Sequence, residues 1–242
     1  MDSKVRLHVA QATHEGQSVE VSREQAHYLS GVMRLSPGDT LTVFDGANGA
    51  WRARIASASK RGGALICEDQ VAPQRNPPDI WLCFAPIKKA RTDFIVEKAT
   101  ELGVARIQPV TTRFTNSERI RRDRLQAHAV EASEQCGGTY VPEVADLVSL
   151  DRMLHDWPEG RALIFCDETL SDDPTWTEGG AWPPAPAAIL IGPEGGFSPE
   201  ERARLRALPF AHPIALGPRI LRADTAAVAA LSLWQSARGD WS

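Results

Sequence analysis

The residues of this chain whose types and spacing could do chemistry sit in two short loops. Gly192-Pro193-Glu194-Gly195-Gly196-Phe197 follows the apolar run 188–191, and Gly217-Pro218-Arg219-Ile220-Leu221-Arg222 follows the apolar run 213–216. A helix signal comes after each loop, so both read as strand–loop–helix units with glycines at the carboxyl end of a strand. In open α/β sheets that edge is where ligands bind. Main-chain N–H and C=O groups of two adjacent loops could hold an adenosine-like ligand with little side-chain signature. The glycines serve equally well in two plain βα turns with no ligand. Phosphate cradles are excluded: Gly192-x-x-Gly195-Gly196 lacks the Lys-Ser/Thr of a P-loop and is not Gly-x-Gly-x-x-Gly. Glu194 and Asp224 are the acids nearest the loops in sequence, and Arg219 and Arg222 the nearest bases.

The elements that must position these loops follow from periodicity. From Ile80 onward, strand patterns alternate with helix patterns: strands at 80–84, 107–110, 163–166 and 189–191, helices from about 89 to 102 and from about 117 to 136. Such alternation implies parallel pairing and right-handed crossovers. Ser198-Pro199-Glu200-Glu201 starts a helix, with Ser as N-cap, Pro at the first helical position and Glu at the third. The last helix starts near Asp224 or Thr225, and residues 171–187 form a loop. Residues 1–72 are different. Short alternating runs at 6–9, 18–21, 40–44, 50–55 and 64–67 surround one helical stretch, 22–35, and Asp45-Gly46 with Asn48-Gly49 marks a hairpin. A proline-rich joint at 71–79 separates a small barrel-like β domain, 1–72, from an α/β domain, 73–242.

A chain of 242 residues with 24% charged residues is an ordinary globular protein, and no run reaches the roughly 18 uncharged apolar residues of a membrane span. The four cysteines are scattered with no Cys-x-x-Cys pair, which excludes a disulfide framework and a zinc site, and the N-terminus has no signal-peptide core. A cytoplasmic, reduced protein is expected. The net charge of −4 does not mark a nucleic-acid binder. Two basic clusters do suggest one locally: Lys88-Lys89-Ala90-Arg91, and Arg113 with Arg119, Arg121, Arg122 and Arg124. Solvated helix faces are the alternative reading of each cluster.

The block from Ile191 to Glu201, continued by Leu216-Gly217-Pro218-Arg219-Ile220-Leu221-Arg222-x-Asp224-Thr225-Ala226, resembles the RsmE family, the 16S ribosomal RNA uridine N3-methyltransferases of the SPOUT class. Further blocks match in order: His27-Tyr28-Leu29-x-x-Val32-Met33-Arg34-Leu35, Phe44-Asp45-Gly46, Lys98-Ala99-Thr100-Glu101-Leu102-Gly103-Val104, and Glu131-Ala132-Ser133-Glu134-Gln135-Cys136-Gly137. The chain departs from the family pattern at Asp224, where many relatives carry Glu, and at 114–119, where Glu-Arg-Ser is usual.

The resemblance implies an N-terminal PUA-like β-barrel that binds RNA and a C-terminal SPOUT α/β domain knotted as a trefoil. It also implies a homodimer acting on the small ribosomal subunit, with S-adenosylmethionine as methyl donor and no metal. Carried onto this sequence, cofactor contacts fall to Cys166, Asp167, Ile191, Gly192, Pro193, Glu194, Gly195, Gly196, Leu216, Gly217, Ile220, Leu221 and Thr225. Loss of the uridine N3 proton leaves negative charge on N3, O2 and O4, which a fixed guanidinium stabilises. Arg222 and then Arg219 are the catalytic candidates, with a salt bridge that stiffens the knot as the alternative role for each. RNA phosphates would meet Arg6, Arg34, Lys88, Arg91, Arg113, Arg119, Arg121 and Arg122. Glu134 and Cys136 read as helix packing or capping, and His27 as an ordinary barrel residue. A non-catalytic RNA-binding factor and a methyltransferase for transfer RNA are the competing functions.

Overall fold

The computed structural model describes residues 5–59, 61–116, 119–171 and 182–242. They divide into two compact units: the residues up to Asn76 together with Ser133–Val141, and Pro77–Ala132 together with Pro142–Ser242.

The first unit is built on five strands: β1 (Arg6–His8), β2 (Ser18–Val21), β3 (Thr40–Phe44), β4 (Ala50–Ser59) and β5 (Gly62–Ala72). They form a sheet in the order β1-β3-β4-β5-β2, antiparallel except for the β1–β3 pair. Alternation dictates the core: Val19, Val21, Leu41, Val43, Ala53, Ile55, Leu65 and Cys67 all point inward and are buried. The β3–β4 turn is organised by Asp45. Its carboxylate accepts hydrogen bonds from Ala47 N (2.9 Å), Asn48 N (2.8 Å), Thr13 N (2.7 Å) and Asn48 Nδ2 (2.6 Å). Strand β5 continues to Ala72, opposite Ala50, and so occupies the start of the stretch that composition assigned to a joint. Hydrogen bonds between side chain and backbone bring 133–141 into this unit: Arg6 Nη2 donates to Gly138 O (2.6 Å), and Arg75 N donates to Thr139 Oγ1 (2.9 Å).

The single helix expected over 22–35 is shorter and changes pitch. After a capping box at Ser22 and Gln25, α1 covers Arg23–His27 and passes into a π-helical turn, Tyr28–Val32. The Ser30 hydroxyl donates to the Ala26 carbonyl (2.8 Å), a bond that competes with the backbone ladder. Arg34 then ends the helix in a left-handed conformation, φ 57°.

The second unit alternates β6 (Ile80–Phe84), α2 (Lys89–Glu101), β7 (Arg106–Thr111), α3 (Arg122–Cys136, whose last turn belongs to the first unit), β8 (Glu143–Val144), β9 (Val148–Ser149), α4 (Leu150–His155), β10 (Ala162–Cys166), β11 (Ala187–Ile191), α5 (Pro199–Ala207), β12 (Ala211–Ile214) and α6 (Ala223–Arg238). The sheet runs β12-β10-β11-β6-β7-β8, with β9 beside β7, and every pair is parallel. All carboxyl ends therefore share one edge. Strand β11 is buried at every residue, as a central parallel strand must be. Leu150, Met153 and Leu154 of α4 and Leu205 of α5 pack with Cys83, Leu163, Phe165, Ala188 and Leu190 of the sheet. Helix α6 lies on β11 and α2, its small residues Ala226, Ala227 and Ala230 allowing close approach.

Helix α3 starts at Arg122 rather than near Ser117, with Arg121 O accepting from Arg124 N and Leu125 N (both 3.1 Å). Ser117 and Glu118 lie outside the described residues, as do 172–181 of the expected loop over 171–187. The short pieces β8, β9 and α4 carry too few residues for periodicity to reveal them. Among the described residues no helix is long and apolar enough to cross a membrane.

Candidate cofactor and RNA site

The carboxyl ends of β10, β11 and β12 open onto one cavity of about 650 Å³, within the range that small-molecule sites occupy. Its walls are the segment after Phe165 and the two glycine loops. Cys166, Asp167, Ile191, Gly192, Pro193, Glu194, Gly195, Gly196, Leu216, Gly217, Ile220 and Leu221 all line it, and so do Arg219 and Arg222. Thr225 does not. It sits in the first turn of α6, exposed, its N–H bonded to the Asp224 carboxylate (3.0 Å). Glu168, Ser171, Ile214, Ala215, Ala223 and Ala226 also line the cavity, although the sequence assigned none of them to the cofactor; Ile214 and Ala215 stand in the apolar run before the second loop and Ala226 in the matched block after it.

Local rules shape the first loop. Gly196 N donates to Pro193 O (2.9 Å), closing a tight turn that Gly196 completes at φ 67°. The capping box then launches α5: Ser198 N donates to Glu201 Oε2 (2.9 Å), and Glu201 N to Ser198 Oγ (3.2 Å).

Beneath the loop lies a charged clamp. The Asp167 side chain is fully buried, and Arg206 donates to its Oδ2 through Nε (3.0 Å) and Nη2 (2.6 Å). Arg202 Nε lies 3.2 Å from Oδ1, which also accepts from Thr169 Oγ1 (2.7 Å). Both oxygens are thus engaged by the protein. Arg202 and Arg206 are one helical turn apart on α5 and tie that helix to the end of β10. Arg202 Nη2 also donates to Glu168 Oε1 (2.9 Å). Burial, and then the negative charge of Glu168, push the Cys166 thiol far up, so it lines the cavity as a neutral group.

The charged rim is divided between paired and unpaired groups. Arg91 Nη1 donates to Asp224 Oδ2 (2.8 Å), joining the starts of α2 and α6. Arg219, Arg222, Lys88 and Glu194 have no ion-pair partner among the described residues, and all four line the cavity. Arg222 is the N-cap residue of α6 and Lys88 that of α2. Lys88 and Arg91, read as phosphate partners, therefore stand on the same cavity as the glycine loops.

The other basic candidates lie elsewhere. Arg113 and Arg119 are exposed, and Arg121 pairs with Asp123 (2.9 Å). Arg122 Nε donates to Val144 O (2.7 Å), fastening α3 to β8, while Arg124 holds Asp93 with two hydrogen bonds. In the first unit Arg34 is exposed, and Arg6 stacks over Phe44, 5.2 Å from the ring centroid. Glu134 accepts from His8 N (2.7 Å), and Cys136 is exposed. His27 lines a separate cavity with Arg23, Glu24 and Ser30.

The cavity suits S-adenosylmethionine on its own terms. Apolar side chains Ile191, Ile214, Leu216 and Leu221 would face an adenine, the carboxylates of Glu168 and Glu194 would face a sulfonium cation, and Ile220, 77% exposed, leaves apolar surface for a ligand to cover. Among the described residues no group of His, Cys, Asp and Glu is arranged to hold a metal ion.

Comparison with known proteins identifies the family. An RNA methyltransferase domain model matches residues 74–235, and an RNA methyltransferase PUA domain model matches residues 21–66. The ribosomal RNA small subunit methyltransferase E of Synechocystis is 31% identical over 222 residues, covering 89% of this chain and 72% of that protein. That of Rickettsia conorii is 25% identical over 94% of this chain and 93% of its own. The crystal structure of the Neisseria gonorrhoeae enzyme of the same name, bound to S-adenosylmethionine, superimposes with a TM-score of 0.87 at 26% identity, covering 98% and 99% of the two chains. A Legionella pneumophila methyltransferase structure holding the same cofactor gives 0.84 at 32% identity, covering 98% of each. Fold and site together define an RNA methyltransferase with a PUA-like first domain. Within that class, the chain belongs to the ribosomal RNA small subunit methyltransferase E family.

Proposed function

We propose that this protein methylates N3 of a specific uridine in the 16S ribosomal RNA of the small subunit, using S-adenosylmethionine. The observation that carries the reading is the convergence of three strand-end loops on one cavity whose rim holds two guanidiniums, Arg219 and Arg222, with no ion-pair partner among the described residues. When bound, S-adenosylmethionine supplies an electrophilic methyl group on a sulfonium that leaves as a neutral thioether. The glycine loops orient that group against the incoming nitrogen, and positioning of this kind supplies much of the rate.

Uridine N3 lies on the Watson–Crick edge and carries a proton, so the base must be unpaired before it can react. With Asp224 held by Arg91 and Glu168 by Arg202, Glu194 is, among the described residues, the cavity carboxylate without an ion-pair partner, and it takes that proton. Arg222, with Arg219, holds the charge that spreads over N3, O2 and O4. Lys88 meets RNA phosphate beside the cavity, and Arg34 and Arg6 do so on the PUA-like domain.

The same proposal includes a cytoplasmic homodimer with a trefoil-knotted second domain. Phe94 on α2 and Leu233 on α6, exposed on two helices that pack together, support self-association. Sedimentation at micromolar concentration checks it.

The deciding experiment incubates the protein with labelled S-adenosylmethionine and either small subunits or transfer RNA, then identifies the modified nucleoside. N3-methyluridine in 16S RNA is the expected product. Label in transfer RNA alone, or none at all, overturns the reading.

A further inference from the structure

We propose that Phe114 is the stacking platform for the unpaired target base. The inference rests on the methyl-transfer reading and adds to it a substrate-positioning residue outside every matched motif.

Phe114 lies just beyond β7, on the carboxyl edge of the sheet where the cavity opens, and is 43% exposed. Its ring sits against the cofactor loop. A side-chain carbon built at Gly195 would meet Phe114 Cβ at 3.1 Å and the ring atoms Cγ and Cδ2 at 3.5 and 3.6 Å. Gly195 itself lines the cavity, next to Glu194.

The turn that presents the ring is held from three sides. Thr115 N donates to Thr112 O (3.1 Å), and Thr112 N donates to Thr115 Oγ1 (2.8 Å). Arg113 N donates to Glu201 Oε1 (2.7 Å), the same carboxylate that closes the capping box of α5. Hydrogen bonds therefore join the turn to the start of α5, and the Phe114–Gly195 contact joins it to the glycine loop. This arrangement holds a partly exposed aromatic side chain against Gly195, a wall of the cavity, instead of folding it into the core.

Single-stranded bases are recognised by stacking on such faces, and every base offers a π-face to stack. Phe114 would grip an unpaired pyrimidine beside the bound cofactor, leaving Arg219, Arg222 and Glu194 to read and activate its edge.

Three variants decide the matter. Phe114→Leu keeps an apolar contact on Gly195 but removes the ring, Phe114→Ala removes both, and Phe114→Tyr keeps the ring. Three quantities are measured: binding of single-stranded oligouridylate by fluorescence anisotropy, S-adenosylmethionine affinity by calorimetry, and KM and kcat on small-subunit RNA. The expected result is oligouridylate binding weakened about tenfold in both the Leu and Ala variants, with KM raised. Cofactor affinity and melting temperature stay unchanged, and the Tyr variant behaves as wild type. A Leu variant equal to wild type, or a fall in cofactor affinity in step with RNA binding, assigns Phe114 to loop packing and overturns the proposal. If wild-type protein makes no N3-methyluridine, the methyl-transfer reading falls, and the oligouridylate arm still decides on Phe114.

Discussion

Glu168 stands in the space that a side chain at Gly196 would need. A carbon built on Gly196 falls inside the contact radius of Glu168 Oε1, and the same oxygen accepts a hydrogen bond from Arg202 at 2.9 Å. Gly196 also adopts φ 67°. Gly196→Ala therefore strains the backbone by about 1–2 kcal/mol and displaces the carboxylate that Arg202 holds. S-adenosylmethionine affinity should fall by about five- to thirtyfold on that scale of strain, measured by calorimetry. Unchanged affinity would show that the loop tolerates a side chain and that the fit is not what shapes it.

Asp167 is the second point of leverage. Removing its carboxylate leaves Arg206 and Arg202 facing a buried position with no counter-charge. Breaking a buried pair from one side costs about 3–5 kcal/mol, and the partial exposure of both arginines places this case near the lower end. Asp167→Ala should lower the urea midpoint of the second unit accordingly, and Arg206→Ala should lower it less, because Arg202 still gives the carboxylate a counter-charge and Thr169 still bonds Oδ1, although Oδ2 loses both of its donors. Equal effects would contradict the hierarchy.

Arg222→Ala separates binding from chemistry. The guanidinium is exposed and unpaired among the described residues, so its loss leaves the fold and the cofactor walls in place. Loss of one charge-stabilising donor typically lowers kcat by about a hundredfold to a thousandfold. That fall in kcat, with S-adenosylmethionine affinity retained, is the expected outcome in single-turnover assays. If Arg219→Ala alone produces the loss, the two arginines exchange roles.

Asp45 gives the first unit a pH signature. Burial alone would raise this acid, but hydrogen bonds from Asn48, Ala47 and Thr13 together bring it down to about 2. A depressed folded-state pKa means the stabilisation is complete above the ordinary carboxylate range near 4 and is lost as pH falls toward 2. Asp45→Asn should be less stable than wild type at pH 7 and show a flatter decline of stability between pH 4 and 2. Parallel acid-denaturation curves would remove Asp45 from the account.

Local grammar in the sequence determined the two glycine loops, the capping boxes at Ser22 and Ser198, the hairpin at Asp45, and the four main parallel strands. The loops, caps and hairpin depend on residues a few positions apart and close their hydrogen bonds locally, whereas the strands show only as apolar runs whose hydrogen bonds reach distant segments. Blocks spread along the chain were enough to place it in its family. Tertiary structure alone decided which distant groups meet. Arg91 pairs with Asp224 across 133 positions and Arg202 with Glu168 across 34, leaving Glu194 as the cavity acid without an ion-pair partner among the described residues. Arg122 turns to Val144, whereas Lys88 stands on the cavity. Phe114 comes to rest against Gly195, 81 positions later. No local pattern encodes these meetings, because they depend on the strand order β12-β10-β11-β6-β7, which brings the carboxyl ends of separate segments to one edge. The two glycine loops were legible as turns; the order of the strands beneath them made them walls of a single site.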